Sequence, residues 1–225
     1  YNPAVVRLAP DEDRIALFQG TGLAPVGRVD YIDDLFVNRQ PRTLRGIDFG
    51  ATWRLQTPSA GDFYASLNAA RMIEYTQENA EDVQSSIDAQ ASGLIDDNVN
   101  VSNAGNLLGI NSKPEWRASF DSSWRKNGWG VGAFVRYVSG TDWTSLVSNT
   151  GNYYEVPSWT TANLWVERGF GQQSGFLSGT TIRLTVRNIA DRDPPFVPSS
   201  ALGFNSSLHD AYGRGYYLRV TKKFD

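Results

Sequence analysis

Apolar and polar residues alternate along several stretches of this chain, and the pattern is clearest near its end. Residues 215–224 are expected to form a strand with one apolar face, because side chains in a strand alternate with a period of two. The apolar positions are Tyr216, Leu218, Val220 and Phe224, and the positions between them are Tyr217, Arg219, Thr221 and Lys223. A soluble β-sandwich and a transmembrane β-barrel both use such strands, so this stretch alone does not choose between them.

The same alternation predicts an all-β protein with about eight antiparallel strands. The least regular strand is 28–37, where Asp30, Asp33 and Asp34 leave its sidedness undefined. The expected strands are residues 28–37, 42–56, 63–75, 116–124, 129–137, 161–167, 181–188 and 215–224. Outside the strands, residues 11–19 predict a short helix.

Short and long connections alternate between these strands. Short turns fall near Pro58, Asn127 and Gly171, whereas the long connections are residues 77–113, 139–158 and 189–212. The first long connection is expected to be irregular, because glycines at 93, 105 and 109 interrupt it. Strict alternation places all long connections at one end, an asymmetry typical of bacterial outer-membrane barrels.

Aromatic residues support a membrane barrel. One group would lie near the short turns as an interfacial girdle: Trp53, Phe63, Trp124, Trp129 and Phe224. Trp116 would lie about 20 Å from Trp124 along the barrel axis, close to the height of an outer-membrane apolar band. The residues expected to face lipid are Phe49, Trp53, Leu67, Phe120, Val131, Val135, Leu184, Leu218 and Phe224. Arg71 and Lys222 are expected at opposite membrane interfaces, with Arg71 either near lipopolysaccharide phosphates or exposed at the rim without a partner.

Charged residues recur on the other side of the predicted strands: Asp48, Arg54, Arg117, Asp121, Arg136, Arg183, Arg187 and Arg219. A water-filled lumen tolerates such residues in the middle of a strand. This favours a transmembrane barrel segment over a soluble β-sandwich binding module, whose apolar faces would pack against each other.

Composition narrows the possible partners and chemistry. The net charge is −3, without a lysine and arginine block, which argues against nucleic acid. No apolar run approaches the roughly 18 residues that a membrane helix needs, and there are no cysteines.

His209, the only histidine, is expected to be a solvated loop residue, so no catalytic triad or zinc site is predicted. Asp96 and Asp97 lack the spacing of a dedicated calcium site, and neither an enzyme nor a cofactor is expected.

Three stretches carry a resemblance to a known family. The segment NIADRDPPF at 188–196, followed by DAYGRGYYLRVTKKF at 210–224, resembles the C-terminal signature of TonB-dependent outer-membrane receptors. RGIDFGATWRL at 45–55 is similar to an earlier strand of those receptors. One departure is Asp225, which stands after Phe224 where the family usually ends on an aromatic residue.

The resemblance implies a role in transport. Receptors of this family have a barrel of about 22 strands around an N-terminal plug, so residues 1–225 would be the C-terminal portion of that barrel, without the plug. The expected partners are outer-membrane lipid, lipopolysaccharide, the remaining strands and plug of the same receptor and, through the plug, TonB. The expected function is import of a scarce nutrient such as a ferric siderophore, and the alternative is a passive pore or structural barrel wall.

Ligand recognition is expected in the long connections rather than in the strands, because loops on a rigid scaffold commonly carry binding residues. Residues 77–113 are the first candidate, for their length and their amide and carboxylate side chains. The candidate ligand-binding residues are Asp96, Asp97, Trp143, Tyr153 and Tyr154. The alternative for the three aromatics is an outer interfacial girdle.

Overall fold

The computed structural model describes residues 5–33, 40–96, 99, 105–147 and 152–224. It contains the strands β1 (Val5–Arg7), β2 (Val29–Ile32), β3 (Arg42–Thr57), β4 (Gly61–Gln77), β5 (Gly105–Asn106), β6 (Trp116–Lys126), β7 (Trp129–Val138), β8 (Thr141–Val147), β9 (Tyr153–Val156), β10 (Trp159–Gly169), β11 (Thr180–Arg187) and β12 (Gly215–Lys222). The helices are α1 (Glu12–Phe18), α2 (Glu81–Ala91) and a 3₁₀ segment, Gln172–Leu177.

One eight-stranded antiparallel sheet forms the body of the fold. Its strand order is β12-β11-β10-β7-β6-β4-β3, and the short strand β5 adds to β4. Seven of the eight predicted strands are present in this sheet, which confirms the all-β prediction. Among the described residues the sheet is open, with β3 and β12 at its edges.

The predicted strand at 28–37 does not join this sheet. Its described part, β2, pairs with β1 in a separate two-stranded sheet, and residues 34–39 lie outside the described residues. Three aspartates in this stretch leave it without the apolar stripe that the other strands share. The predicted helix at 11–19 is confirmed as α1, which begins after Asp11, whose carboxylate accepts the Arg14 N–H at 2.9 Å.

The long connections contain more regular structure than predicted. Residues 77–113 were expected to be irregular, but α2 occupies Glu81–Ala91. The glycines behind that expectation come after the helix, so nothing within α2 breaks it. The second connection contains the β8–β9 hairpin, whereas no helix or strand occurs between β11 and β12.

The register gives the main sheet one apolar and one polar face. Directly opposed residues share a face in an antiparallel pair. One row runs from Leu67 to Phe120 and Val135, and the adjacent row runs from Asn68 to Ser119 and Arg136. We call the side of Leu67 the apolar face and the side of Asn68 the polar face.

The short turns define one end of the sheet. Asn127 and Gly128 join β6 to β7 with φ angles of 48° and 76°, as a two-residue turn with positive φ at both positions requires. Near the preceding short turn, the Trp124 indole N–H donates to the Ala60 carbonyl at 2.7 Å. Trp124 lies opposite Phe63 on the apolar face, so these two girdle residues are at the short-turn end, as predicted.

The most deeply buried large side chains lie at the opposite end, which we call the outer end. At this end the β8–β9 hairpin connects β7 to β10. Residues 188–214, which we call the outer segment, fold over the polar face. The fully buried residues are Val138, Val156, Trp159, Val197 and Leu208. An Arg136 N–H on the polar face donates to the Leu208 carbonyl at 3.3 Å, which holds the outer segment against the sheet.

A glycine pair makes room for a tryptophan on the polar face. Trp165 lies opposite Gly132, and a Cβ added at Gly132 would lie 2.5 Å from the indole ring and 2.6 Å from the Ser122 carbonyl oxygen. Gly130 is similarly tight, with an added Cβ 3.1 Å from the same ring. The two glycines therefore let the indole lie close to the strand backbone.

We predict that Gly132→Ala destabilises the folded protein by about 1–3 kcal/mol, because both the indole and the backbone must move. Gly50→Ala is the matched control, since its added Cβ would meet only an Asn68 side-chain oxygen at 3.5 Å. Denaturant unfolding in detergent micelles measures both variants. Equal stability of the two would show that Gly132 is not required for the packing of Trp165.

Candidate functional site

The apolar face collects the residues that were predicted to face lipid. Phe49, Leu67, Phe120 and Val135 lie on this face, and the pairing of β10, β11 and β12 adds Leu184 and Leu218 to it. Trp53 and Val131 belong to the same face. Large apolar side chains here are open to the surroundings: Phe49 is 56% exposed and Leu218 is 70% exposed. A continuous exposed apolar surface of this kind marks an interaction with a partner or a membrane. Phe224 follows the end of β12 and is also exposed.

Arg71 and Lys222, the two basic residues predicted at opposite interfaces, lie at opposite ends of this face, and Lys126 and Arg168 also belong to it at the short-turn end. Arg71 is opposite Trp116 towards the outer end, with its guanidinium carbon 5.3 Å from the centre of the indole ring. Lys222 is opposite Thr180 at the short-turn end. Its ammonium donates to the carbonyls of Phe176, at 3.0 Å, and Ser178. Lys222 therefore holds the connection between β10 and β11 in addition to lying at an edge of the apolar face.

A closed ion cluster occupies the short-turn end of the polar face. One Glu167 oxygen accepts from Arg125 Nε at 3.1 Å, and the other accepts from Arg183 Nε at 2.9 Å. Both guanidiniums also lie near the Trp165 ring, at 5.2 Å and 4.3 Å from its centre. The two cations share one carboxylate and one aromatic surface, so each guanidinium in this cluster has an anionic partner.

Two of the predicted ligand-binding aromatics have their polar atoms engaged at the outer end. The Trp143 indole N–H donates to Ser199 Oγ at 2.6 Å, and the Tyr154 hydroxyl donates to the Phe196 carbonyl at 3.1 Å. Both bonds tie the β8–β9 hairpin to the outer segment. Tyr153 extends from the opposite side of the hairpin and is 42% exposed. Of the three aromatics, Tyr153 is the most available to a ligand.

Buried amides join the three long connections, which the sequence pattern did not indicate. Asn205 is 4% exposed, and its side-chain N–H groups donate to the Asn111 carbonyl at 3.2 Å and to Ser112 Oγ at 3.2 Å. Asn111 also bonds to Thr144 in β8, with its side-chain oxygen accepting the Thr144 N–H at 3.1 Å. Asparagine is common in loops, so composition alone could not separate these structural amides from solvated ones.

The two candidate aspartates are only partly placed. Asp97 lies outside the described residues. Asp96 follows α2, and its backbone carbonyl accepts an N–H from Gln90 at 2.9 Å. Within the described ranges, no group of three or more histidine, cysteine, aspartate or glutamate side chains could hold a metal ion.

His209 is not a solvated loop residue, which corrects the sequence-based expectation. It is 5% exposed, and its ring meets the Trp159 ring edge to face with centres 5.4 Å apart. Neither ring nitrogen has a hydrogen-bond partner among the described residues. Burial, and then the nearby Arg136 guanidinium, lower the pKa of His209, while Asp210 opposes this shift. The outer segment folds over the polar face, and this buries its own His209 ring.

An antiparallel sheet with one exposed apolar face, one polar face and all its long connections at one end has the design of an outer-membrane barrel wall. No helix in the described parts of the chain is both long and apolar enough to cross a membrane. The family model described as TonB dependent receptor-like, beta-barrel matches residues 12–189. The chain therefore belongs to this family of receptor barrels, whose members act as receptors and transporters rather than enzymes.

The match includes the predicted motif at 45–55 and ends near the start of the motif at 188–196. The last strand and the motif at 210–224 lie beyond it. No curated protein matches the chain.

We predict that docking of the outer segment weakens as pH falls. The pKa of His209 is lowered in the docked state, so below the usual value of about 6.5 the undocked segment binds a proton more readily than the docked one. Docking is then fully stable near neutral pH and loses free energy as pH falls below about 6.5 towards the docked pKa. Hydrogen exchange of residues 189–214, corrected for the intrinsic rate, should rise between about pH 7.5 and pH 5.

His209→Phe is the control, because a phenyl ring keeps an aromatic contact with Trp159 and cannot titrate. The variant should show little pH dependence in this segment. If unaltered protein and variant respond to pH in the same way, another group controls the docking.

Proposed function

We propose that this chain is part of an active-transport receptor in the bacterial outer membrane, which binds a scarce nutrient such as a ferric siderophore and imports it with energy from TonB. Residues 1–225 would be the C-terminal portion of the receptor barrel. The family match supports a receptor barrel. The observation that carries the proposal is the apolar face, which runs unbroken from β3 to β12 with exposed aromatic and aliphatic side chains.

In this proposal the apolar face contacts lipid and the polar face lines the lumen. Phe63, Trp124 and Trp129 form an interfacial girdle near the short turns. Arg71 and Trp116 lie at the outer interface, where the guanidinium reaches lipopolysaccharide phosphates. The free edges of β3 and β12 pair with the remaining strands of the same receptor, since unpaired edges do not persist in lipid.

The polar face favours a receptor over a simple barrel wall. At the outer end the outer segment covers it, held by bonds from Arg136, Trp143 and Tyr154. The Trp159 indole adds a fourth, donating to the Asp193 carbonyl at 3.0 Å. A simple barrel wall does not require such an ordered outer surface, whereas a receptor needs one for its ligand. Contact with the plug and, through it, with TonB completes the transport cycle.

Ligand contact comes from the outer end in this proposal. Tyr153 is the most accessible aromatic, and Asp96 and Asp97 follow α2 in the longest connection. Trp143 and Tyr154 hold the surface that the ligand meets.

The substitution Val135→Arg should destabilise the protein in lipid by about 2–4 kcal/mol if position 135 lies at the bilayer midplane. Asn68→Arg is the matched control on the polar face, where a charged side chain remains in water. Denaturant titration in lipid vesicles gives both values. A Val135→Arg protein as stable as Asn68→Arg would mean that the apolar face does not contact hydrocarbon.

Replacing residues 79–104 by a short Gly-Ser linker should leave surface display unchanged and reduce uptake of a ferric siderophore. The cut spares Leu107, which is 3% exposed and whose N–H donates to the Tyr75 carbonyl at 2.8 Å.

Uptake by the complete receptor should also disappear in cells without TonB.

The two arms of this experiment have separate meanings. Uptake that persists without TonB would contradict active transport and favour the passive pore. Normal display with unchanged uptake in the loop variant would place the ligand site outside residues 79–104.

A further inference from the structure

A small cavity lies between the polar face and the outer segment. Its volume is about 110 Å³, and its lining includes Arg136, Asn163, Arg187, Asp210, Tyr212 and Tyr217. A water molecule needs only about 10–15 Å³ by the same kind of measure, so the cavity has room for a compact polar group. It is distinct from the ion cluster around Glu167, which lies at the other end of the polar face.

The two arginines of this cavity have no carboxylate partner within the described chain. No ion pair among the described residues includes Arg136, Arg187 or Asp210. The Arg187 guanidinium lies over the rings of Tyr212, at 5.6 Å, and Tyr217, at 5.8 Å. Arg136 donates to one backbone carbonyl, and the Asp210 carboxylate accepts the Tyr212 N–H at 3.3 Å. The cavity therefore holds two guanidiniums and one carboxylate, and this carboxylate pairs with neither guanidinium.

The ion cluster at the short-turn end shows how this sheet pairs two arginines with one shared carboxylate. There, β10 places Glu167 between Arg125 on one side and Arg183 of β11 on the other. In the cavity, β10 again lies between the two arginine-bearing strands, β7 and β11, but it supplies the neutral side chain of Asn163. Partly buried charges are normally paired, so the cavity is complementary to an anion that the described strands do not provide.

We propose that this cavity binds an oxyanion group, a carboxylate or a phosphate, carried by the ligand of the receptor. Strands two apart in the sheet are about 10 Å apart, so two extended arginine side chains reach one oxyanion between them. The planar guanidinium fork suits both groups. Asn163 and the tyrosine rings shape the remainder of the site. The inference rests on the proposed function, because it assigns the chemical class of the transported ligand.

Calorimetric titration of the detergent-purified receptor with inorganic phosphate or with succinate tests the site. We expect saturable binding of at least one of these anions, weakened about tenfold or more by Arg136→Gln and by Arg187→Gln. Arg219→Gln is the control, because it removes the same charge from the same face opposite Arg183, away from the cavity. The two titrations distinguish a phosphate site from a carboxylate site.

A second variant tests the site without removing an arginine. Asn163→Asp should supply the missing carboxylate while keeping the oxygen that accepts the Asn188 N–H at 2.9 Å. It should abolish anion binding and raise the thermal midpoint. This variant still tests the site if the glutamine variants fail to fold.

Three results would overturn the assignment: binding of neither anion, an equal effect of Arg219→Gln, or unchanged anion binding in Asn163→Asp. The assignment and the proposed function fail separately. TonB-dependent uptake without cavity binding removes the oxyanion site alone, whereas cavity binding with TonB-independent uptake removes active transport alone.

Discussion

The period of two along each strand, kept in register across the sheet, is the constraint on which the rest of this structure depends. Val135 and Arg136 are consecutive residues with opposite surroundings, and only the strand pleat separates them. A slip of one residue in any pairing would exchange the faces of that strand. In a membrane, such a slip would move arginines into hydrocarbon, at a cost of several kcal/mol for each residue near the midplane. The one irregularity between β3 and β4, at Arg45 and Gly46, lies near the outer end.

The two ends of the sheet are stabilised by different means. The short-turn end combines a two-residue turn at Asn127 and Gly128 with backbone carbonyls of the turns that accept from Lys222 and Trp124. The outer end depends on contacts between residues far apart in sequence, such as the bond from Trp143 to Ser199. At both ends these bonds join residues far apart in sequence, so each offsets part of the entropic cost of closing a long loop.

Sequence periodicity was sufficient to predict the sheet but not the outer end. Seven strands, their sidedness and the position of the long connections follow from alternation, which is a local signal. The burial of His209 and the amide network around Asn205 depend on how the outer segment folds back, and no pattern within that segment encodes it. Trp143 and Tyr154 were predicted to be ligand platforms from their residue type alone. In the structure their polar atoms bond to the outer segment, because a partly buried indole N–H or phenol O–H requires an acceptor.

Arg136 joins three features of the outer end. It donates to the Leu208 carbonyl, it lines the cavity, and its charge helps to lower the pKa of His209. An anion bound in the cavity would offset that charge and thereby favour protonation of the imidazole. By thermodynamic linkage, protonation of His209 would strengthen anion binding by the same factor. Anion binding would thereby bring the pKa of the docked His209 closer to its usual value, so one arginine couples anion binding to firmer docking of the outer segment at low pH.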